Sequence, residues 1–145
     1  MWLKLDLSGI AFKLRIQQYE KSNPEDMFSK WCKVDLSFES KEGLSYHFED
    51  EETLLPFEVE ELQERIGELL KGNLEEPTVM ECIEPDFEFH FFPKDDEEEL
   101  DEYMELIIAL WGEGGLSDNR LLLIFEKDNL EKLLAYLKEI TMQES

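Results

Sequence analysis

With 145 residues, 42% of them hydrophobic and 12% aromatic, the chain has enough apolar surface to offset its chain entropy as one domain without staples, which excludes disorder. Its 37 Asp and Glu against 14 Lys and Arg leave a net charge of −23, so counterion release cannot drive binding to DNA or RNA, and a cationic partner suits the chain. No apolar run approaches the roughly 18 residues of a membrane span, and the opening Met1-Trp2-Leu3-Lys4-Leu5-Asp6-Leu7 alternates with charges instead of forming a signal peptide.

Leu3, Leu5 and Leu7 alternate with Lys4 and Asp6; after Ser8-Gly9, Ile10, Phe12, Leu14 and Ile16 alternate with Lys13, Arg15 and Gln17. Period two predicts half-buried strands, here a hairpin. Past the polar loop Lys21–Asp26, a second pair places Cys32, Val34, Leu36 and Phe38 against Leu44, Tyr46 and Phe48 across the turn Ser40-Lys41-Glu42-Gly43, completing a four-strand meander. The period then changes. Val59, Leu62, Ile66, Leu69 and Leu70 recur at three and four residues between Pro56 and Gly72-Asn73, which predicts one amphipathic helix.

Pro77 opens a second β region: Thr78 to Ile83, a break at Glu84-Pro85, then Phe87, Phe89 and Phe91 alternating with Glu88 and His90. Tyr103 to Trp111 reads as a strand ending at Gly112-Glu113-Gly114-Gly115, with a helix through Glu99–Leu110 as the alternative. Leu121, Leu123 and Phe125 predict the last strand. Asp128 is the expected N-cap of a final helix turning Leu130, Leu133, Leu134, Leu137 and Ile140 inward. The expected fold is therefore α+β: mainly antiparallel β-sheet of about eight strands, with two amphipathic helices. Leu54–Glu58 with Leu62, Ile66 and Leu69 matches Leu122–Glu126 with Leu130, Leu134 and Leu137 at an offset of 68, which suggests a duplicated β4-α unit whose helices pack on one face of a single sheet; any amphipathic helix after an apolar strand produces similar spacings.

The inventory for catalysis is thin. His47 lies between Tyr46 and Phe48, and His90 between Phe89 and Phe91. On one exposed face they could serve as acid and base or as metal ligands; the simpler reading is ordinary strand histidines, because no CxxC or HExxH spacing accompanies them. An enzyme using either with carboxylates has no other sequence support. The glycine turn 112–115 lacks the Lys and Ser/Thr of a phosphate loop, and Asp95–Glu102 lacks EF-hand ligand spacing. No catalytic residue, metal or cofactor is predicted. Cys32 and Cys82, far apart and each in an apolar stretch, read as buried reduced thiols, with a disulfide or metal pair as the alternative. The expected location is the cytoplasm.

What the charge leaves is recognition of a cationic protein. Residues 1–72 hold nine basic and sixteen acidic side chains and residues 73–145 hold five and 21, so the halves carry −7 and −16. Two runs stand out: Glu49, Asp50, Glu51 and Glu52 at a strand end, and Asp95, Asp96, Glu97, Glu98, Glu99, Asp101 and Glu102 in a loop. These eleven are the candidate partner-binding residues, with solvated, solubilising loops as the competing reading. Trp111 is either a core residue or an interface anchor.

The opening Met1-Trp2-Leu3-Lys4-Leu5, the strand Trp31-Cys32-Lys33-Val34-Asp35-Leu36-Ser37-Phe38, the acidic Phe48-Glu49 leading through Leu54 into the Phe57–Leu70 helix, and the ending Leu121–Glu126 followed by Leu130–Ile140 give the chain its likeness. In the order and type of its elements it resembles the WapI-type immunity proteins that bacteria encode beside polymorphic or contact-dependent toxins. The resemblance implies a non-enzymatic antitoxin, one immunity-type domain over 1–145, that binds a toxin domain, often a nuclease, and covers its active site or its nucleic-acid surface. The chain departs from the pattern in its acidic insertion Asp95–Glu102, where toxin specificity would reside. The contact residues themselves rest on charge and not on the resemblance. An accessory domain with a non-toxin partner is the alternative, and an adjacent gene for a large secreted protein with a C-terminal toxin domain separates the two.

Overall fold

Alternating apolar residues set the strands Leu3–Leu7 (β1), Ile10–Gln17 (β2), Cys32–Glu39 (β3) and Ser45–Leu54 (β4), which pair antiparallel in chain order in the computed structural model; it describes residues 1–142, so the last three residues of the expected 1–145 domain lie outside the described residues. Pro56–Leu70 (α1) follows. The chain then repeats the pattern with Thr78–Glu81 (β5), Phe87–Phe92 (β6), Tyr103–Gly112 (β7), Gly115–Phe125 (β8) and Lys127–Met142 (α2). The α+β expectation holds, eight strands and two helices included, and the 103–111 segment is a strand and not a helix.

The eight strands form two four-stranded sheets, β1-β2-β3-β4 and β5-β6-β7-β8, and not the single sheet expected. β1 and β8 touch but do not pair: Asn129 Nδ2 at the start of α2 takes one edge carbonyl of β1, Asp6 O, and Tyr136 Oη donates to Met1 O just ahead of the strand. Tyr136 Oη also accepts from the Ile16 N–H, so the second helix is tied to the first sheet. The two helices pack on each other, and α1 reaches β6 while α2 reaches β1. One apolar core results, joined across the sheets by an edge-to-face contact between Phe12 and Phe125 with ring centroids 5.2 Å apart.

The duplicated unit is present, at an offset of 71 instead of 68. Leu54 and Phe125 end the fourth strand of each half, and Val59, Leu62, Ile66 and Leu69 stand where Leu130, Leu133, Leu137 and Ile140 stand, all eight buried. The two offsets differ by three residues, close to one helical turn, so either alignment superposes one apolar stripe on another. Both helices begin alike: Glu58 Oε1 accepts from the Leu55 N–H and Asn129 Oδ1 from the Glu126 N–H, each three residues ahead of its acceptor. Asp128 is thus inside the first turn of α2, where it faces the positive end of the helix dipole, and is not the N-cap.

Two further strand expectations change. Leu44 is exposed in the turn before β4 and does not face the core. β4 continues through the acidic run to Leu54 because Asp35, buried on β3, draws the chain inward: its carboxylate accepts from the Asp50 N–H at 2.7 Å, with Asp50 at a φ of 54° beside a register shift. Arg15 Nε and Gln17 Nε2 complete the shell of that carboxylate at 2.6 and 3.0 Å.

Candidate functional site

In the second sheet one face packs on the helices and the other does not. Phe87, Phe89 and Phe91, Met104, Leu106 and Ile108, and Leu123 and Phe125 are buried. The alternate positions point outward, and a solvated face would make them polar. Instead Leu122 and Ile124 are 47% and 48% exposed. Register places Leu122 beside Ile107, and Ile124 beside Glu105. The face continues through Tyr103, paired with Phe92 and stacked on it at 4.6 Å between centroids, and through His90 to Val79 on β5. The signal was present in the sequence: the unbroken apolar run Leu121-Leu122-Leu123-Ile124 violates the alternation of a one-sided strand.

The Asp95–Glu102 run closes one end of this face. It is an ordered turn, with Asp95 and Leu100 exchanging two backbone hydrogen bonds of 2.9 Å. Asp95 Oδ1 accepts from the N–H groups of Glu97 and Glu98, and Glu99 takes a φ of 54°. The folded tip leaves Asp95 through Asp101 exposed, with Lys94 Nζ 3.8 Å from Asp96. Glu102 differs from the rest of the run. It is buried, and Lys127 Nζ lies 4.0 Å from its carboxylate.

Between this turn, the start of β7, the end of β8 and the first turn of α2 lies a cleft of about 550 Å³. Glu99, Asp101, Glu102, Glu105, Glu126 and Asp128 line it, and Lys127 is its one lining cation. Leu100, Tyr103 and Ile124 supply its apolar wall. Sequence reasoning missed Glu105, Glu126 and Asp128, because they come from β7 and from the β8–α2 junction, which only the fold brings together beside the turn. No group of carboxylates, histidines or thiols among the described residues is arranged to hold a metal ion. A larger groove of about 670 Å³ between α1 and α2 mixes Lys71 and Lys138 with Glu64 and Glu68, and so presents no charge of one sign.

The other run, Glu49–Glu52, is exposed on β4 in the first sheet, inside the strand and not at its end. Glu51 belongs to a second acidic patch, with Glu84 and Asp86 of the β5–β6 connection; burial first, and then Asp86 and Glu51, push the Glu84 carboxyl above its ordinary value. Trp111 stands at this patch, 56% exposed, its Nε1 donating to Asp86 Oδ1, so it is a surface residue and not part of the core. Glu84 and Asp86 precede β6 and the acidic turn follows it, so about 17 Å of strand lies between this part of the patch and the turn. His47 and His90 are on different sheets, which ends their candidacy as a pair; His90 Nε2 is 2.9 Å from Glu88 Oε1. Cys32 is buried, Cys82 half-buried, and neither is in a disulfide.

A sequence model of the family described as "Immunity protein WapI-like family" matches residues 3–143. No curated protein matches the chain. Among solved structures the chain is similar to that titled "Structure of the plant transcriptional regulator PBF-2", at 11% identity over 97% of this chain and 87% of that one, with a TM-score of 0.48.

Proposed function

The chain belongs to the WapI-like immunity protein family, and on that footing we propose that it neutralises a cationic toxin, a nuclease, by laying the outer face of its second sheet and the Asp95–Asp101 turn over the toxin's basic surface. Membership itself assigns a non-enzymatic immunity role with a cognate toxin as partner. One observation carries the finer reading: the outer face of β7 and β8 exposes Leu122 and Ile124 beside the half-buried Ile107 and Tyr103, and acids close its end. An apolar centre with a charged rim is the anatomy of a protein interface. Nucleases hold polyanions with Lys and Arg, so an acidic surface competes for those same cations, and it steers the encounter at rates that fall with salt. The encounter takes place in the cytoplasm, where such a toxin meets its nucleic acid.

The test uses the cognate toxin domain. Converting Asp95, Asp96, Glu97, Glu98 and Glu99 to their amides should slow association about tenfold or more at low salt and flatten its salt dependence. Leu122→Ala and Ile124→Ala should act on dissociation instead. Binding and protection that survive both sets of changes would overturn the assignment of this face.

A further inference from the structure

We propose that the cleft behind the acidic turn is a receptor for one guanidinium of the partner, with Glu102 as its buried counter-ion and Lys127 as the cation that holds the position until the partner arrives. The inference deepens the toxin-binding reading above and rests on it. Glu102 is 8% exposed, yet its carboxylate accepts no hydrogen bond from the described residues. Its one ionic neighbour, Lys127 Nζ at 4.0 Å, is at the outer limit of an ion pair and itself half exposed. The carboxylate lines the cleft, so a cation entering it can come within hydrogen-bonding distance and pair with it directly.

The placement of Lys127 points the same way. As the first residue of α2 it sits at the positive end of the helix dipole, where a cation is unfavourable, so helix stability does not account for it. Its flexible stem can withdraw into solvent. What would replace it is specified by the walls. Tyr103, stacked parallel on Phe92 with 9° between the rings, presents a flat aromatic surface of the kind guanidinium groups stack on. Leu100 and Ile124, both about half exposed, line the cleft and offer apolar surface to the methylenes of an arginine. Arginine fits this site better than lysine, because its planar fork pairs with a carboxylate in two places and gives up its hydration more readily.

The experiment is an NMR titration of the full chain with the capped tripeptide Gly-Arg-Gly, and with its lysine and citrulline counterparts. Saturable shifts should centre on the amides of Glu102, Tyr103, Ile124 and Lys127 with the arginine peptide, be about threefold weaker with lysine, and vanish with citrulline. Glu102→Gln should weaken arginine binding about tenfold, whereas Lys127→Gln should tighten it, a change that loss of folding cannot mimic. Equal responses to arginine and lysine spread over the acidic surface, or Glu102→Gln behaving like the surface control Glu131→Gln, would sink the proposal. A toxin that binds Glu102→Gln as it binds the parent chain removes the receptor and leaves the immunity reading standing. A toxin that ignores the whole face while the arginine peptide still binds does the reverse.

Discussion

Asp35→Ala tests how the first sheet holds the acidic stretch of β4 in shape. Asp35 is 1% exposed and accepts three hydrogen bonds, from Arg15 Nε, Gln17 Nε2 and the Asp50 N–H. Removing one partner of a buried pair costs about 3–5 kcal/mol. Arg15 is a third exposed and lies 4.5 Å over the Trp2 ring, so it can rehydrate, and the expected loss falls to about 2–4 kcal/mol. For a chain of this size that is a fall of roughly 6–12 °C in Tm. Asp35→Asn keeps an acceptor for the Asp50 N–H and loses the charge, so it should cost about half as much. Urea and thermal unfolding measure both, with the m-value unchanged because the surface exposed on unfolding is the same. The pH dependence supplies a second reading. Burial alone would raise the Asp35 carboxyl, but its bonds to the Asp50 N–H, Arg15 and Gln17 outweigh burial and hold it below the ordinary 3.8. Its stabilisation is therefore complete above 3.8 and lost as pH falls through the folded-state value, so the advantage over Asp35→Asn should shrink in acid. A loss under about 1 kcal/mol for Asp35→Ala, or an Asn variant no better than the Ala one, would refute the account.

Ile66→Ala and Leu137→Ala, at equivalent positions of the two helices and both fully buried, should each cost about 2–5 kcal/mol in urea unfolding; a large loss in one and a negligible loss in the other would argue against a shared core. Tyr136→Phe strands the Ile16 N–H and frees Met1 O, for a cost of about 1–3 kcal/mol and faster hydrogen exchange at Ile16; unchanged exchange there would mean the hydroxyl does not tie α2 to the first sheet. Burial pushes the Glu58 carboxyl above its ordinary 4.5 despite the Leu55 and Ile83 N–H groups that it accepts. A raised folded-state value means the stabilisation is complete below 4.5 and declines as pH rises through that value, so the parent should lose ground to Glu58→Gln on going from acid to neutral pH, and the opposite slope would contradict this. Burial, followed by Glu58, drives the Cys82 thiol far above its usual range, so iodoacetamide should alkylate it about a hundredfold more slowly in the folded chain than in urea; comparable rates would place the thiol at the surface.

Much of the fold was legible because strand and helix periods are local. Leu3 to Leu7 and Ile10 to Ile16 each alternate, and the burial of β1 and β2 follows that alternation. The duplication was legible as a pattern and misplaced by three residues, since an amphipathic stripe is nearly unchanged by one helical turn. β4 was read too short because its second half is charged on every exposed position, and only the contact from Asp35, fifteen residues earlier, explains why it stays a strand.

The amino-acid sequence by itself determined the element types, the β4-α repeat, the acidity and its concentration in the second half, all of which follow from composition and short-range periodicity. The tertiary structure decided what no local period encodes. It divided the strands into two sheets and tied α2 to the first of them through Met1 O and Asp6 O. It kept the two acidic runs apart, one on β4 of the first sheet and the other in the turn after β6, and it turned Glu102 inward while the six other acids of that turn remained exposed. It also gathered Glu105, Glu126 and Asp128 around that buried carboxylate. Charge in a sequence is a sum, whereas a binding site needs charges of one sign held beside apolar surface, and only the packing of distant segments brings those together.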